Sequence, residues 1–486
     1  MASELKAKTL SGMIWSFVQR FGTMAISFVS NIVLARLLTP DDYGTIGMLT
    51  IFIAVATTFV DGGFGSALIQ KKEPTREDYS TIFWWNMLLS VLLYGVLFIC
   101  APAIARFYSL PLLTDVLRVQ GIILMINALS IIQQNQLRKQ LKFKRLATVT
   151  VISATLASAI AIALSYIGWG VWALVAQQLL ISSFNAIQLW VLNKWYPALV
   201  FSKSSFKELF GFGGFILVSN LINTLCNNIQ ALLLGRLFSP ATLGYYTQAH
   251  KMEDIASKSI STVVDQVSYP VLAEHQDNRT RFIEILRKLI LSISFISTPM
   301  MILLIAISHP LILFLYSEKW IASVPYFDIL CLAGIAISLQ GIHYYAVASV
   351  GKSKDLFVWT IIKRLLGLIL LVVGIYLWGV YGLLWSYVGV SWIVLLANAY
   401  LTSKHIGYSL REQIVDLLPT ATISIVSFVV PMIALIGVEL DVVAKSLIHG
   451  TAFILMYVSL AHIFNIAAYT QMKPIVVEYI RKLVRR

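Results

Sequence analysis

Charges and amides at helical spacing, set in an apolar chain, are the residues here that could do chemistry. Ser16, Arg20, Thr23, Ser27 and Asn31 recur at intervals of three and four, which places them on one stripe of a helix. Asn220, Asn223 and Asn227 stand 200 residues after Arg20, Thr23 and Ser27 and form a second stripe. Lys251, Asp254, Lys258 and Asp265 follow at i, i+3, i+7 and i+14, a third stripe of alternating sign. Cations beside amides and hydroxyls suit an anionic group of a cargo in a wet cavity. The same residues also serve as interhelical glue, or as ion pairs holding one helix to its neighbours. Arg20 tips the balance towards a cavity, because a charge deep in an apolar helix needs water or a partner. A fourth stripe, Gln120, Asn127 and Gln134, is spaced by sevens and reads equally well as ligand contact or as packing.

The elements that carry these stripes are membrane spans. Of 486 residues, 58% are hydrophobic and 12% charged, and the mean hydropathy is +0.80, which is more apolar surface than a soluble core could enclose. Apolar runs fall at 11–38, 43–70, 79–107, 112–137, 146–166, 171–192, 209–238, 244–271, 289–316, 325–350, 356–376, 381–402, 414–436 and 443–467. The expectation is an all-α polytopic membrane protein of about 14 transmembrane helices. The first run is longer than a signal-peptide core and lacks a cleavage site, so it reads as a retained span. Basic residues concentrate in the odd-numbered connections and in the tail, at Arg481, Lys482, Arg485 and Arg486, which predicts that both termini are cytoplasmic. The net charge of +14 is spread over these short loops and makes no separate basic domain, so nucleic acid is not the expected partner.

The chain also repeats itself. Ala35 to Gly44 reads A-R-L-L-T-P-D-D-Y-G and Gly235 to Gly244 reads G-R-L-F-S-P-A-T-L-G, each where one apolar run ends and the next begins. Gly170-Val171-Trp172-Ala173-Leu174 recurs as Gly379-Val380-Tyr381-Gly382-Leu383. Six spans per copy is an even number, so both copies point the same way, as two six-helix lobes in a parallel pseudo-twofold repeat plus two extra C-terminal helices. The expected organisation is an N-lobe at 1–195, a cytoplasmic linker at 196–208, a C-lobe at 209–405, and two extra helices with a basic cytoplasmic tail at 406–486. Two matched lobes around a cleft are the architecture of an alternating-access transporter.

Outside the stripes, Asp61 lies in V-D-G-G-F-G-S-A-L-I-Q, where it reads as an interfacial cap or as a proton or sodium site. With Asp254 and Asp265 it is a candidate for ion coupling or gating. Lys363 and Arg364 are expected to snorkel to lipid phosphate, and His343 to be a packed polar residue. Cys100, Cys226 and Cys331 read as buried free thiols. Paired carboxylates, a nucleophile elbow, a phosphate-cradling glycine loop and metal-ligand spacing are all missing from the sequence, so neither a catalytic residue nor a metal site is assigned.

Leu34-Ala35-Arg36-Leu37-Leu38-Thr39-Pro40 with Tyr43-Gly44, the Asp61–Gln70 segment, Gln136-Leu137-Arg138 with Phe143, Gly170–Val175, and Gly244-Tyr245-Tyr246 followed by Tyr269-Pro270-Val271-Leu272 occur together in order. In these segments the chain resembles the polysaccharide exporters, or lipid-linked oligosaccharide flippases, of the multidrug/oligosaccharidyl-lipid/polysaccharide superfamily. The resemblance implies a V-shaped bundle in a bacterial inner membrane. It implies a flippase that moves undecaprenyl-diphosphate-linked oligosaccharide units from the cytoplasmic to the periplasmic leaflet for O-antigen (lipopolysaccharide), capsule or exopolysaccharide biosynthesis. Arg20, Lys251 and Lys258 are then placed to meet the diphosphate, with Thr23, Ser27, Asn220, Asn223 and Asn227 lining the cavity. Implied partners are the lipid bilayer, a polysaccharide polymerase and chain-length machinery. No cofactor is implied, and coupling to Na+ or H+ is left open. The competing readings are a multidrug or cation antiporter of the same superfamily and a membrane-embedded polysaccharide polymerase.

Overall fold

The structure, a computed structural model, covers residues 2–471 and 473–474, and the side chains of these residues except 2–10 and 260–267. Asp265 and the terminal basic residues Arg481, Lys482, Arg485 and Arg486 therefore lie outside the described residues.

Caps and breakers in the sequence set the helix boundaries. After α1 (Ala2–Leu37), Thr39 opens α2 (Pro40–Asp61): its hydroxyl accepts from the Asp42 N–H at 3.3 Å, and Asp42 Oδ2 accepts from the Thr39 N–H at 2.9 Å. Pro40 takes the first helical position, where a missing N–H costs nothing. Gly62 and Gly63, at φ 59° and 70°, end α2 and start the short α3 (Phe64–Gln70), so the expected span 43–70 is one crossing in two pieces. Thr75 and Asp78 form a second capping box at the start of α4 (Arg76–Phe107). The expected span 112–137 is likewise broken, into α5 (Leu113–Gln120) and α6 (Ile123–Lys139). Next come α7 (Phe143–Tyr166), α8 (Val171–Asn193), α9 (Lys203–Leu237) and α10 (Pro240–Glu274).

The remaining helices are α11 (Arg279–Ala306), α12 (Ser308–Tyr316), a 3-10 turn at Glu318–Ser323, α13 (Val324–Ser349), α14 (Ser353–Ile406), α15 (Leu410–Ala434) and α16 (Val442–Ile463). Trp378 and Gly379 leave helical geometry inside α14, so it is two spans end to end. Twelve helices among the described residues are long and apolar enough to cross a membrane; with α14 counted as two and α10 added, the long helices number the fourteen expected. Large apolar side chains such as Leu92, Ile99, Phe215, Tyr376 and Leu455 point outwards, the surface a bilayer requires of a multi-pass protein.

The chain divides into two compact units, Met1–Thr247 and Gln248–Arg486. In the first, α1 packs on α7, α7 on α8, α6 on both α4 and α8, and α9 along α2. In the second, α13 packs on α11 and α14, and α15 on α11 and α16. The repeat is visible in the backbone. Gly170 (φ 53°, ψ −130°) and Gly379 (φ 61°, ψ −135°) adopt one conformation at the heads of equivalent helices, in a region that residues with a Cβ rarely enter. Ser239 caps α10 as Thr39 caps α2, its hydroxyl accepting from the Thr242 N–H at 3.2 Å.

Several local expectations need correcting. Of the three free thiols only Cys331 is buried; Cys100 is exposed and Cys226 half-buried, because their helix faces look outwards. Lys363 does not simply snorkel to lipid: its ammonium donates to Asn398 Oδ1 at 3.1 Å, from a neighbouring helical segment. Gln120 and Gln134 do not continue one stripe, because the chain turns at residues 121–122 between α5 and α6; buried Gln120 instead donates to Gln178 Oε1 at 2.8 Å.

Candidate functional site

In the first unit the expected stripe on α1 has open polar surface. Arg20 and Ser27 are exposed and Ser16 and Thr23 half-buried, whereas Asn31 is buried. The Thr23 hydroxyl donates to the Gln19 carbonyl at 2.7 Å, satisfying itself on its own helix. On α9, Asn220, Asn223 and Asn227 are all exposed, while Asn228 donates to the Thr224 carbonyl at 2.8 Å. α1 rests chiefly on α7 and α9 chiefly on α2, so the two stripes are not brought together by direct packing of their helices.

In the second unit α10 carries the charged ladder. Lys258 donates to Asp254 at 2.7 Å, an i, i+4 pair that matches the ion-pair reading, and Lys251 is exposed. The residue that sequence reasoning missed is Glu253. It is fully buried, and neither carboxylate oxygen has a hydrogen-bond partner among the described residues. His250 Nδ1 lies 3.5 Å from Glu253 Oε2, and a Cβ at Gly334 would lie 2.7 Å from Glu253 Oε1, so the carboxyl is pressed against the backbone of α13. A carboxylate so desolvated is costly unless it carries a proton or meets a cation. Its signal in the sequence was the His250-x-x-Glu253 spacing, off the stripe that 251, 254 and 258 share.

Where α2 and α3 meet α9, small residues let two backbones touch. A Cβ at Gly63 would overlap the Gly213 carbonyl, and the hydroxyls of Thr58 and Thr224 lie 3.0 Å apart. Beyond them Lys71 is held 3.0 Å from both Asp78 and Glu208. Burial works against its charge, but hydrogen bonds and charges of Glu208 and Asp78 outweigh it, so the Lys71 pKa is raised. Lys139 points its ammonium at the carbonyls of Leu68 and Ile69, both at 3.1 Å, and at that of Lys71, closing the C-terminus of α3. Asp61, half-buried at the end of α2, feels the charge of Arg138.

At the other end of α2, the repeated motifs meet each other. A Cβ at Gly44 would overlap the Pro240 carbonyl, and one at Gly244 would overlap that of Pro40. Gly47 faces Leu243 and Thr247, with 3.1 Å and 3.4 Å available to a Cβ. The two copies of one sequence element are thus crossed on each other, and glycine in both makes the approach possible.

The fold is that of a known class of membrane transporter. It superposes on the lipid II flippase MurJ in an inward closed conformation with a TM-score of 0.73, at 16% identity, over 95% of this chain and 99% of that one. A multidrug resistance MATE family transporter of the MOP superfamily, facing inward, gives 0.62 at 15% identity, over 79% and 94%. The polysaccharide biosynthesis protein family matches residues 33–325, and the chain belongs to it. Among its relatives, the teichuronic acid biosynthesis protein TuaB of Bacillus subtilis is 28% identical over 86% of this chain and 88% of its own length. The succinoglycan biosynthesis transport protein ExoT of Rhizobium meliloti is 23% identical over 86% of each chain. The lipopolysaccharide biosynthesis protein WzxC of Escherichia coli is 24% identical over 86% of this chain and 87% of its own.

Proposed function

We propose that this protein is a flippase for polyprenyl-diphosphate-linked oligosaccharides, carrying them from the cytoplasmic to the outer leaflet of a bacterial inner membrane by alternating access, with both termini cytoplasmic. The observation that carries the reading is exposed polar surface on α1 and α9, at Arg20, Ser27, Asn220, Asn223 and Asn227, within long helices that also expose many large apolar side chains. At membrane depth such surface belongs beside water or a ligand and not beside lipid. The chemistry fits the cargo. A diphosphate crosses hydrocarbon only at great cost, fixed cations such as Arg20, Lys251 and Lys258 reduce that cost, and amides and hydroxyls satisfy the sugars. Of these cations Lys258 is shared with Asp254. The protein is read as a transporter and not an enzyme, in keeping with the transport named for its relative ExoT.

The test is leaflet-resolved movement of fluorescent undecaprenyl-diphosphate oligosaccharide in proteoliposomes, comparing wild type with the Arg20→Ala/Lys251→Ala variant. Movement in the wild type and its loss in the variant are expected. Movement that survives in the variant relocates the diphosphate site. No movement in the wild type, alongside ion-driven efflux of an organic cation, replaces the flippase with the antiporter.

A further inference from the structure

We propose that a side cavity of the second unit, between α15 and the second half of α14, binds an uncharged glycerolipid, whose hydroxyl head donates to Gln413 and His343 while its chain lies along α15. The site is separate from the polar stripes, and the inference does not depend on what the protein transports. The cavity has a volume of about 400 Å³ and is floored by α11 and α13. Packing leaves it there, because α15 rests chiefly on α11 and α16 and touches α14 little. Leu396, Ile414, Leu418 and Ile425 line it and are also exposed on the surface of the unit, so it opens sideways through an apolar mouth, as a path from hydrocarbon must. From Leu410 to Ile425 it follows α15 for roughly 22 Å by the helical rise, against about 15 Å of hydrocarbon in each leaflet, which is room for one chain at full length.

The polar end is built on one turn of α14. Gln413, 3% exposed, donates from Nε2 to the carbonyls of Tyr408 at 2.7 Å and Ala399 at 3.2 Å. Its Oε1, on the other arm of the amide, is buried and has no hydrogen-bond partner among the described residues. The Thr402 hydroxyl donates to the Asn398 carbonyl at 3.0 Å and so accepts from His343 Nδ1, 3.2 Å away, which leaves Nε2 of the neutral ring as an acceptor. The other polar groups of the wall are spent: Ser294 and Thr298 face each other at 3.4 Å, and Trp392 Nε1 donates to the Leu332 carbonyl at 3.2 Å. What the cavity lacks is therefore a donor, since a buried acceptor left unmatched is costly. No Asp, Glu, Lys or Arg lines it among the described residues, so an ammonium head would find no counter-charge there and a phosphate head no cation. A glycerol hydroxyl supplies the donor without a charge.

The experiment reconstitutes the full chain in phosphatidylcholine vesicles carrying a trace of a monoacylglycerol with a diazirine near the end of its chain, and maps the photo-crosslinks by mass spectrometry. Crosslinks are expected on residues 392–399 and 414–425, removed by unlabelled monoacylglycerol. A methyl-ether analogue without free hydroxyls should compete less well by on the order of tenfold, the binding equivalent of about one buried hydrogen bond. Gln413→Leu should lose that discrimination, a ratio taken within one folded variant. Ala421→Phe, which fills the cavity from its wall and leaves Gln413 in place, should abolish the crosslinks while the protein still elutes as a folded peak in size-exclusion chromatography. Crosslinks spread over the surface of the protein, or unchanged in Ala421→Phe, would overturn the site. Equal competition in the wild type by the methyl ether, by phosphatidylglycerol or by a polyprenyl diphosphate would overturn the uncharged hydroxyl head as its ligand. None of these readouts requires movement of oligosaccharide, so failure here and failure of the flippase reading are told apart.

Discussion

Glu253 is the residue whose surroundings ask most of it. Its carboxyl is sealed from solvent between α10 and Gly334 of α13, with His250 Nδ1 at 3.5 Å. An ionised carboxylate out of reach of water is costly unless a cation meets it. Asp254, one position along, is already paired with Lys258. If transport is ion-coupled, Glu253→Gln, which fixes the neutral form, should lose the dependence of flipping rate on an imposed pH or sodium gradient while keeping gradient-independent movement. Rates measured in proteoliposomes that still respond to both gradients would remove Glu253 from the coupling. Glu253 was hard to see in sequence because one residue along a helix is a turn of about 100°, which carries it off the stripe of the ladder that drew attention.

Among the elements, the glycine breaks do more than end helices. Gly63 combines a left-handed backbone with contact against Gly213, whereas Gly168 has φ 90° and open space around it. Alanine at Gly168 should cost only the backbone penalty, about 1–2 kcal/mol. Alanine at Gly63 adds a clash with the carbonyl of α9 and should cost measurably more. Melting temperatures in detergent would order the variants as wild type, Gly168→Ala, Gly63→Ala from most to least stable; equal values for the two variants would show that the α3–α9 contact yields freely. The sequence was informative about such elements where period and punctuation act locally. The fourteen long helices, the caps at Thr39 and Ser239 and the equivalence of Gly170 with Gly379 were all readable from spacing. The break at residues 62–63 had its signal in Asp61-Gly62-Gly63, whereas the one at 121–122 was not readable, because it lies inside a run long enough to be one span. The partners of Lys363 and Gln120 were hidden for another reason: they come from helical segments distant in sequence, and only tertiary packing selects them.

For the whole molecule, duplication explains the sequence and packing explains the fold, and the two divide the chain at different places. The sequence repeat predicts a second lobe from residue 209, yet α9 packs along α2 and the first compact unit extends to Thr247. The stretch between α8 and α9 is fastened down: Trp84 Nε1 donates to the Ala198 carbonyl at 2.8 Å, the Ala198 N–H to Ser80 at 2.9 Å and the Ser202 N–H to Thr81 at 3.0 Å. By contrast Gln276, Asp277 and Asn278, between α10 and α11, are exposed. For anyone adding a fluorescent reporter or an epitope tag, the boundary suggested by ancestry is thus the wrong place to cut. An insertion after Ala198 would pull apart the stitches that seat α9 and should reduce the yield of folded protein, whereas one after Gln276 should be carried without loss, as fluorescence-detected size-exclusion profiles of the two fusions would show.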